Sequence, residues 1–236
     1  MPIQRHFANS HYAEMVEVSK GNTINTSYID KFGYNSAVGT SFETVWDGNN
    51  VYTYIASAGT AAATSSNAVS DNNGIVEVTG LNANYEEVTE QLIIGGPAGG
   101  TQFHRVFRAR MINAQTGETN AGNITITVDG KSAAIITAGY GQTLMALYTV
   151  PVNCNAYLLQ LDIGTSKDLE HQIKVLVRAP GEAWNTKSFV TTRGGFLEKN
   201  FHIPIEIPEK HDIEVRCQGS ATSAVSAGFE LITVKT

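Results

Sequence analysis

Residues 124–137 read Ile-Thr-Ile-Thr-Val-Asp-Gly-Lys-Ser-Ala-Ala-Ile-Ile-Thr, and this stretch decides the fold class. Ile124, Ile126 and Val128 alternate with Thr125, Thr127 and Asp129, the period of two that places one set of side chains on each face of a β-strand. Asp129-Gly130 then turns the chain toward a second strand over Ala133–Thr137, because Asp-Gly favours the tight turns of β-hairpins.

The same pattern extends in both directions. Upstream lie Val51–Ile55, Ile75–Thr79, Tyr85–Ile94 and Phe103–Ile112, the last with Phe103, Phe107, Ala109 and Met111 on one side. Downstream come Leu144–Val150, Cys154–Ile163, with Tyr157, Leu159, Leu161 and Ile163 on one face, and His171–Ala179. Phe189–Thr192, Phe201–Ile207, Ile213–Cys217 and Ala227–Val234 complete the set. Turn signals separate them, among them Asp47-Gly48-Asn49-Asn50, Asp71-Asn72-Asn73-Gly74 and the Gly95–Gly100 cluster around Pro97. A short helix fits between Ser166 and His171. No segment keeps a 3.6-residue apolar stripe over three turns, so the expectation is an all-β, antiparallel β-sandwich of jelly-roll-like form. Residues 1–40 have weak periodicity and read equally as an extended N-terminal arm or as an edge strand with loops. Residues 41–236 read as the sandwich domain, with a subdivision, if one exists, near 95–122. Ala56–Ala68 is nearly all Ala, Ser, Thr, Gly and Asn, which suits either a close interface or a surface loop.

Composition narrows the function. The 236 residues carry 16 Lys and Arg against 22 Asp and Glu, a net charge of −6, which argues against a broad basic groove for nucleic acid. Charged residues make up only 16% of the chain, against roughly 25% in ordinary soluble domains, so polar uncharged groups cover much of the surface. Such a surface suits packing against copies of the same chain or against partners, and it also suits a plain stable domain. No apolar run approaches the roughly 20 residues of a membrane helix. Met1–Ser10 is polar and lacks the apolar centre of a secretory signal, so the expected setting is the cytoplasm or release by lysis. Cys154 and Cys217 sit in strands and read as buried thiols rather than a disulfide framework.

The histidines at 6, 11, 104, 171, 202 and 211 show no zinc-ligand spacing. Glu86 and Glu90 share a strand face, as a glycosidase acid pair would, yet nothing around them supplies the desolvation that marks an acid catalyst. The segment Gly139-Tyr140-Gly141-Gln142 lacks the lysine and helix of a phosphate cradle. Asp47-Gly48-Asn49-Asn50 and Asp71-Asn72-Asn73-Gly74 resemble fragments of calcium loops without the remaining acids. Trp46, Tyr52, Tyr54 and Trp184, with Phe189, fit either a sugar platform or core and interface packing. His104, Arg105, Arg108 and Arg110 form a basic cluster suited to pairing with acids across a subunit contact. No cofactor and no catalytic residue is expected, so the chain reads as no enzyme.

Several segments carry a resemblance. Val45-Trp46-Asp47-Gly48, Gly80-Leu81-Asn82-Ala83-Asn84-Tyr85, Asn120-Ala121-Gly122-Asn123-Ile124 and Ala138-Gly139-Tyr140-Gly141-Gln142-Thr143-Leu144-Met145-Ala146 come in order. Pro208-Glu209-Lys210-His211-Asp212-Ile213 and Ser226-Ala227-Gly228-Phe229-Glu230-Leu231-Ile232 follow. Together they resemble a family of tailed-bacteriophage virion proteins, especially of marine phages, and Gly-Tyr-Gly-Gln-Thr-Leu is the most distinctive piece. Where that family often has Pro-Ala-Gly-Lys, this chain has Pro151-Val152-Asn153-Cys154, a change within a turn. The resemblance implies a virion structural role in capsid, neck or tail, assembled in the host cytoplasm, with copies of itself and other virion proteins as partners. Its alternative is an adhesin module of a phage fibre that binds a host surface glycan.

Overall fold

The structure is a computed structural model and describes residues 16–236. In chain order its strands are β1 (Thr26–Val38), β2 (Glu43–Thr44), β3 (Gly59–Ser65), β4 (Ile75–Leu81), β5 (Glu87–Ile93), β6 (Gln102–Phe103) and β7 (Arg105–Asn113). They continue as β8 (Ile124–Val128), β9 (Lys131–Ile136), β10 (Leu147–Thr149), β11 (Cys154–Arg178), β12 (Asn185–Ile207), β13 (Asp212–Gly219) and β14 (Ser223–Lys235). Every pairing among them is antiparallel.

The opening stretch forms the hairpin its alternation implies. Ile124, Ile126 and Val128 are fully buried, and Asp129 and Gly130 both take positive φ (49° and 68°), the backbone of a two-residue hairpin turn. On its other edge β8 pairs with β3, setting Ala61 opposite Val128 and Ala63 opposite Ile126. The small residues of the low-complexity segment are therefore a close-packed strand: Ala61 and Ala63 are buried, and their carbonyls accept from Gly99 and Gly95 N–H.

The largest sheet is organised by β11. One of its edges pairs with β12 along nearly the whole length. The other takes β13 against His171–Arg178 and then β14 against Cys154–Thr165, so β13 and β14 follow one another along a single edge. Beyond them lie β10 and β2 against β13, and β1 against β14. Two smaller sheets, β6-β3-β8-β9 and β5-β4-β7, face the same interior. One buried cluster runs from Val38 to Leu231 and takes side chains from all three sheets, with Phe103, Phe229, Leu81, Met145 and Leu158 among its largest fully buried side chains.

Two local expectations are corrected. Ser166–His171 is not helical; it lies within the 25-residue β11, where Ser166–Leu169 bulge away from β12. Tyr157 and Leu159 do not share the buried face of Leu161 and Ile163. A register shift between Leu158 and Gln160 moves the buried set from Cys154, Ala156 and Leu158 to Leu161 and Ile163, as a β-bulge does. Of the N-terminal segment, residues 1–15 lie outside the described residues, and Thr26–Val38 form β1, hydrogen-bonded to β14. Cys154 and Cys217 are buried free thiols.

Candidate functional site

Four of the five aromatic residues singled out from sequence meet in one chain of rings, while Phe189 stands apart, exposed on β12. Trp46 touches Tyr52 edge-on (5.0 Å between centroids, 86°), Tyr52 touches Tyr54 edge-on (4.8 Å, 87°), and Tyr54 meets Trp184 at 5.6 Å. Three come from the loop after β2, while Trp184 sits at the turn joining β11 to β12. Trp46 and Tyr52 are buried, and Tyr54 and Trp184 are half-buried. Two polar anchors fix the row: Trp46 Nε1 donates to the Asn50 carbonyl at 2.9 Å, and the Tyr52 hydroxyl donates to the Ala133 carbonyl at 2.9 Å.

Guanidinium groups fill the spaces along this row. Arg178, at the end of β11, lies 4.4 Å from the centroids of both Tyr54 and Trp184. Arg105, at the start of β7, lies 5.2 Å from Tyr54, and Arg216 on β13 lies 5.3 Å from Trp184. Their counter-charges come from β13, on which Asp212, Glu214 and Arg216 project from one face at i, i+2 and i+4. Asp212 accepts from Arg105 Nε (2.9 Å) and Thr149 Oγ1 (2.7 Å) on one oxygen, and from Arg178 Nε (3.0 Å) on the other. Arg178 and Asp212 are also direct cross-strand partners. Arg105 further donates to the Ile55 carbonyl, so its guanidinium is held on two sides. Glu214 accepts from the Tyr54 hydroxyl at 3.2 Å and from Arg216 Nε. Each buried carboxylate thereby accepts a donor on both of its oxygens, which offsets part of the cost of burying it. The arrangement ties the β11–β12 turn, the loop after β2, β7, β10 and β13 into one unit.

Burial pushes the Glu214 carboxyl up to about 7, with Arg216, Tyr54 and Arg178 pulling the other way. A carboxyl raised in the fold above its ordinary value binds its proton more tightly folded than unfolded. Its contribution favours the folded state below about pH 4.5 and is lost as pH rises through about 7. Asp47, raised to about 6 by burial, acts in the same direction. Glu214→Gln is therefore expected to flatten part of the fall in stability across that window, leaving the share of Asp47. Urea midpoints measured from pH 4 to 8 check this; a profile parallel to wild type would contradict it.

The predicted basic cluster divides. Arg105 turns inward with Phe107 and Ala109, whereas Arg108 and Arg110 project outward from alternate positions of β7. Arg108 donates to Gln142 Oε1, and Arg110 pairs with Glu77 at 2.8 Å. His104 rests against the Tyr85 ring at 5.3 Å. Sequence reasoning missed Asp212, Glu214, Arg178 and Arg216. The available signal was the set of charged residues at alternate positions within the apolar run Ile213–Cys217.

Other candidates prove to hold loops. Glu90 accepts from the Gly100 and Thr101 N–H groups, and Glu86 from Asn82. Asp47 accepts from Leu144 N–H and Thr137 Oγ1, while Asp71 accepts from Ala121 and Gly122 N–H and from Ser65 Oγ. Asn120 donates to the Gly122 and Thr137 carbonyls and accepts from Gly141 N–H. Trp46-Asp47-Gly48, the Asn120 loop and the Gly139–Leu144 loop, quoted above for their resemblance, are thus joined to one another. A separate buried cation, Lys31, donates to the Phe107 carbonyl beside a cavity of about 310 Å³, and burial lowers its pKa to about 7. Among the described residues, no group of three or more His, Cys, Asp or Glu could hold a metal ion.

No protein-family model matches the chain, and no curated protein does. Three solved structures of infectious bursal disease virus are similar to it at a low level. The Gt strain structure shares 12% identity over 89% of this chain and 73% of that one, with a TM-score of 0.24. The Gx strain gives 11% over 89% and 71% (TM-score 0.26), and the VP2 subviral particle gives 12% over 89% and 72% (TM-score 0.23). Scores this low carry no argument about fold or function. None of these structures is of a tailed bacteriophage; infectious bursal disease virus is a non-tailed virus, and the bacteriophage, tail and neck roles are withdrawn.

Proposed function

We propose that this chain is a non-enzymatic structural protein of a virion shell, assembled from copies of itself in the host cytoplasm with other virion proteins as neighbours. On this reading the three sheets act as a jelly-roll-like sandwich, and the segment 1–40 helps attachment, with β1 as its anchor in the large sheet. The observation that carries the reading is the mutual pairing within the buried site. Asp212, Glu214 and Arg105 face one another and the Tyr54 ring rather than an open cleft, so the best-built polar cluster holds strands together. Self-assembly is supported by the sparse surface charge and by exposed apolar side chains such as Phe189, Phe196 and Ile203.

Light scattering of the full-length chain over a range of concentrations tests this. The expected mass is a multiple of 25.4 kDa that grows with concentration; a monomer throughout overturns the reading. Detection of the chain in purified particles tests the virion setting, and its absence from them overturns that part.

A further inference from the structure

We propose that the free edge of β12 is a self-association edge, on which a second copy lays its own β12 antiparallel about a two-fold axis near Phe196. The proposal rests on the assembly reading above and names the surface that serves it. β12 is 23 residues long and pairs only with β11 among the described strands, which leaves its other edge open to a further strand. Long open edges are ordinarily shortened, charged or covered. Here Pro204, close to one end, removes a single ladder donor, and Lys187, Arg193 and Lys199 add charge without covering the edge.

Three features select a second copy as the occupant. First, Phe189, Phe196 and Ile203 are 50%, 70% and 86% exposed and stand seven residues apart in sequence, Ile203 within the stretch 201–204 where β12 leaves its ladder with β11. An antiparallel dyad near Phe196 brings Phe189 toward the partner's Ile203 and Phe196 toward its own symmetry mate, which is the self-complementarity a two-fold interface requires. Second, Val190, Leu197, Phe201 and Ile205 pack against the core yet stay only partly buried, so a further strand would complete their burial. Third, the charges suit the antiparallel arrangement. Residues 185–195 carry Lys187 and Arg193 and no acid, whereas residues 196–207 carry Glu198 and Glu206 against Lys199. Antiparallel pairing sets the cationic half of one copy on the acidic half of the other, with Lys187 opposite the partner's Ile205 and one position from its Glu206; parallel pairing would set like on like. Arg193 also forms an exposed pair with Asp168 of its own chain, which leaves Lys187 as the cleaner probe. Gly194 and Gly195, both at positive φ, break the strand at its middle into two arms, and each arm meets the opposite arm of the partner.

Sedimentation velocity of the full-length chain is the test, with Phe196→Glu, Lys187→Glu and the double variant K187E/E206K. Phe196→Glu is expected to weaken association by about tenfold or more, since it sets two like charges at the centre of the contact. Lys187→Glu should weaken it less, and K187E/E206K should restore it toward wild type. Phe196→Cys should form a disulfide-linked dimer on oxidation, because Cys154 and Cys217 are buried. If wild type associates while Phe196→Glu and Lys187→Glu leave association unchanged and Phe196→Cys gives no cross-link, the β12 edge is overturned and the assembly reading stands. If wild type stays monomeric at every concentration, the assembly reading falls and the edge with it.

Discussion

Asp212→Ala is expected to destabilise the fold by about 3–5 kcal/mol, the cost typical of breaking a buried ion pair from one side. The removed carboxylate accepts from Arg105, Arg178 and Thr149, and Arg105 is only 7% exposed. Among the described residues no other acid is hydrogen-bonded to Arg105, whose remaining acceptors are the Ile55 and His104 carbonyls. The mutation therefore strands a buried cation rather than deleting a contact. Asp212→Asn keeps the shape and one acceptor oxygen and should fall between alanine and wild type. The control is Asp168→Ala, which breaks the Arg193–Asp168 pair; both side chains there are largely exposed, and solvent screening should leave stability unchanged. Urea unfolding at pH 7 separates the cases. If Asp212→Ala lies within about 1 kcal/mol of wild type, the network does not hold the strands together, because the stranded Arg105 would then have found water or another acceptor.

This contrast indicates what could be read from the chain alone. The β8–β9 hairpin was legible because its one-face burial writes a strict alternation, and Asp129-Gly130 names its own turn. The aromatics Trp46, Tyr52, Tyr54 and Trp184 were legible as a set, although their order in space was not, since Trp184 is brought to Tyr54 only by the long β11–β12 pairing. Arg105 was read together with Arg108 and Arg110, and the alternation of β7 then parted it from them. Asp212 and Glu214 were hidden for a physical reason. β13 is buried on both faces, so its charged residues occupy interior positions that a one-face pattern assigns to solvent. The bulge after Leu158 was equally invisible, because one extra residue exchanges the faces without altering composition. Three of the six segments that suggested a known family are ones whose Asp47, Asn120 and Gly141 join loops to one another. A shared need for such joints can recur wherever loops must be held, which is a weaker bond than common descent.

Gly33→Ala is the second substitution expected to have a large effect, and its mechanism is spatial. Gly33 lies in β1 opposite Ala227, outside the positive-φ region, so alanine meets no backbone strain there. Its added Cβ, however, would sit 2.1 Å from the Val45 carbonyl oxygen and 2.3 Å from Ala146 N. Those two atoms belong to the bond by which Ala146 donates to Val45, in a junction where Val45 also donates to Val215 and Val215 to Ala146. Flexible side chains could yield to a methyl group, but these are backbone atoms fixed by three strands' worth of bonds. The substitution must displace β1 or open the junction, and about 3 kcal/mol or more is expected, at the upper end of overpacking costs. Gly130→Ala provides the opposite case. Its added Cβ would meet nothing within 4 Å among the described residues, but its φ is +68°, so it should lose only the roughly 1–2 kcal/mol of left-handed strain. Thermal unfolding of the two variants tests whether space or conformation is the tighter constraint on this chain's glycines. If Gly33→Ala is the milder of the two, β1 moves away from the junction easily, and its place in the large sheet is looser than its ladder to β14 implies.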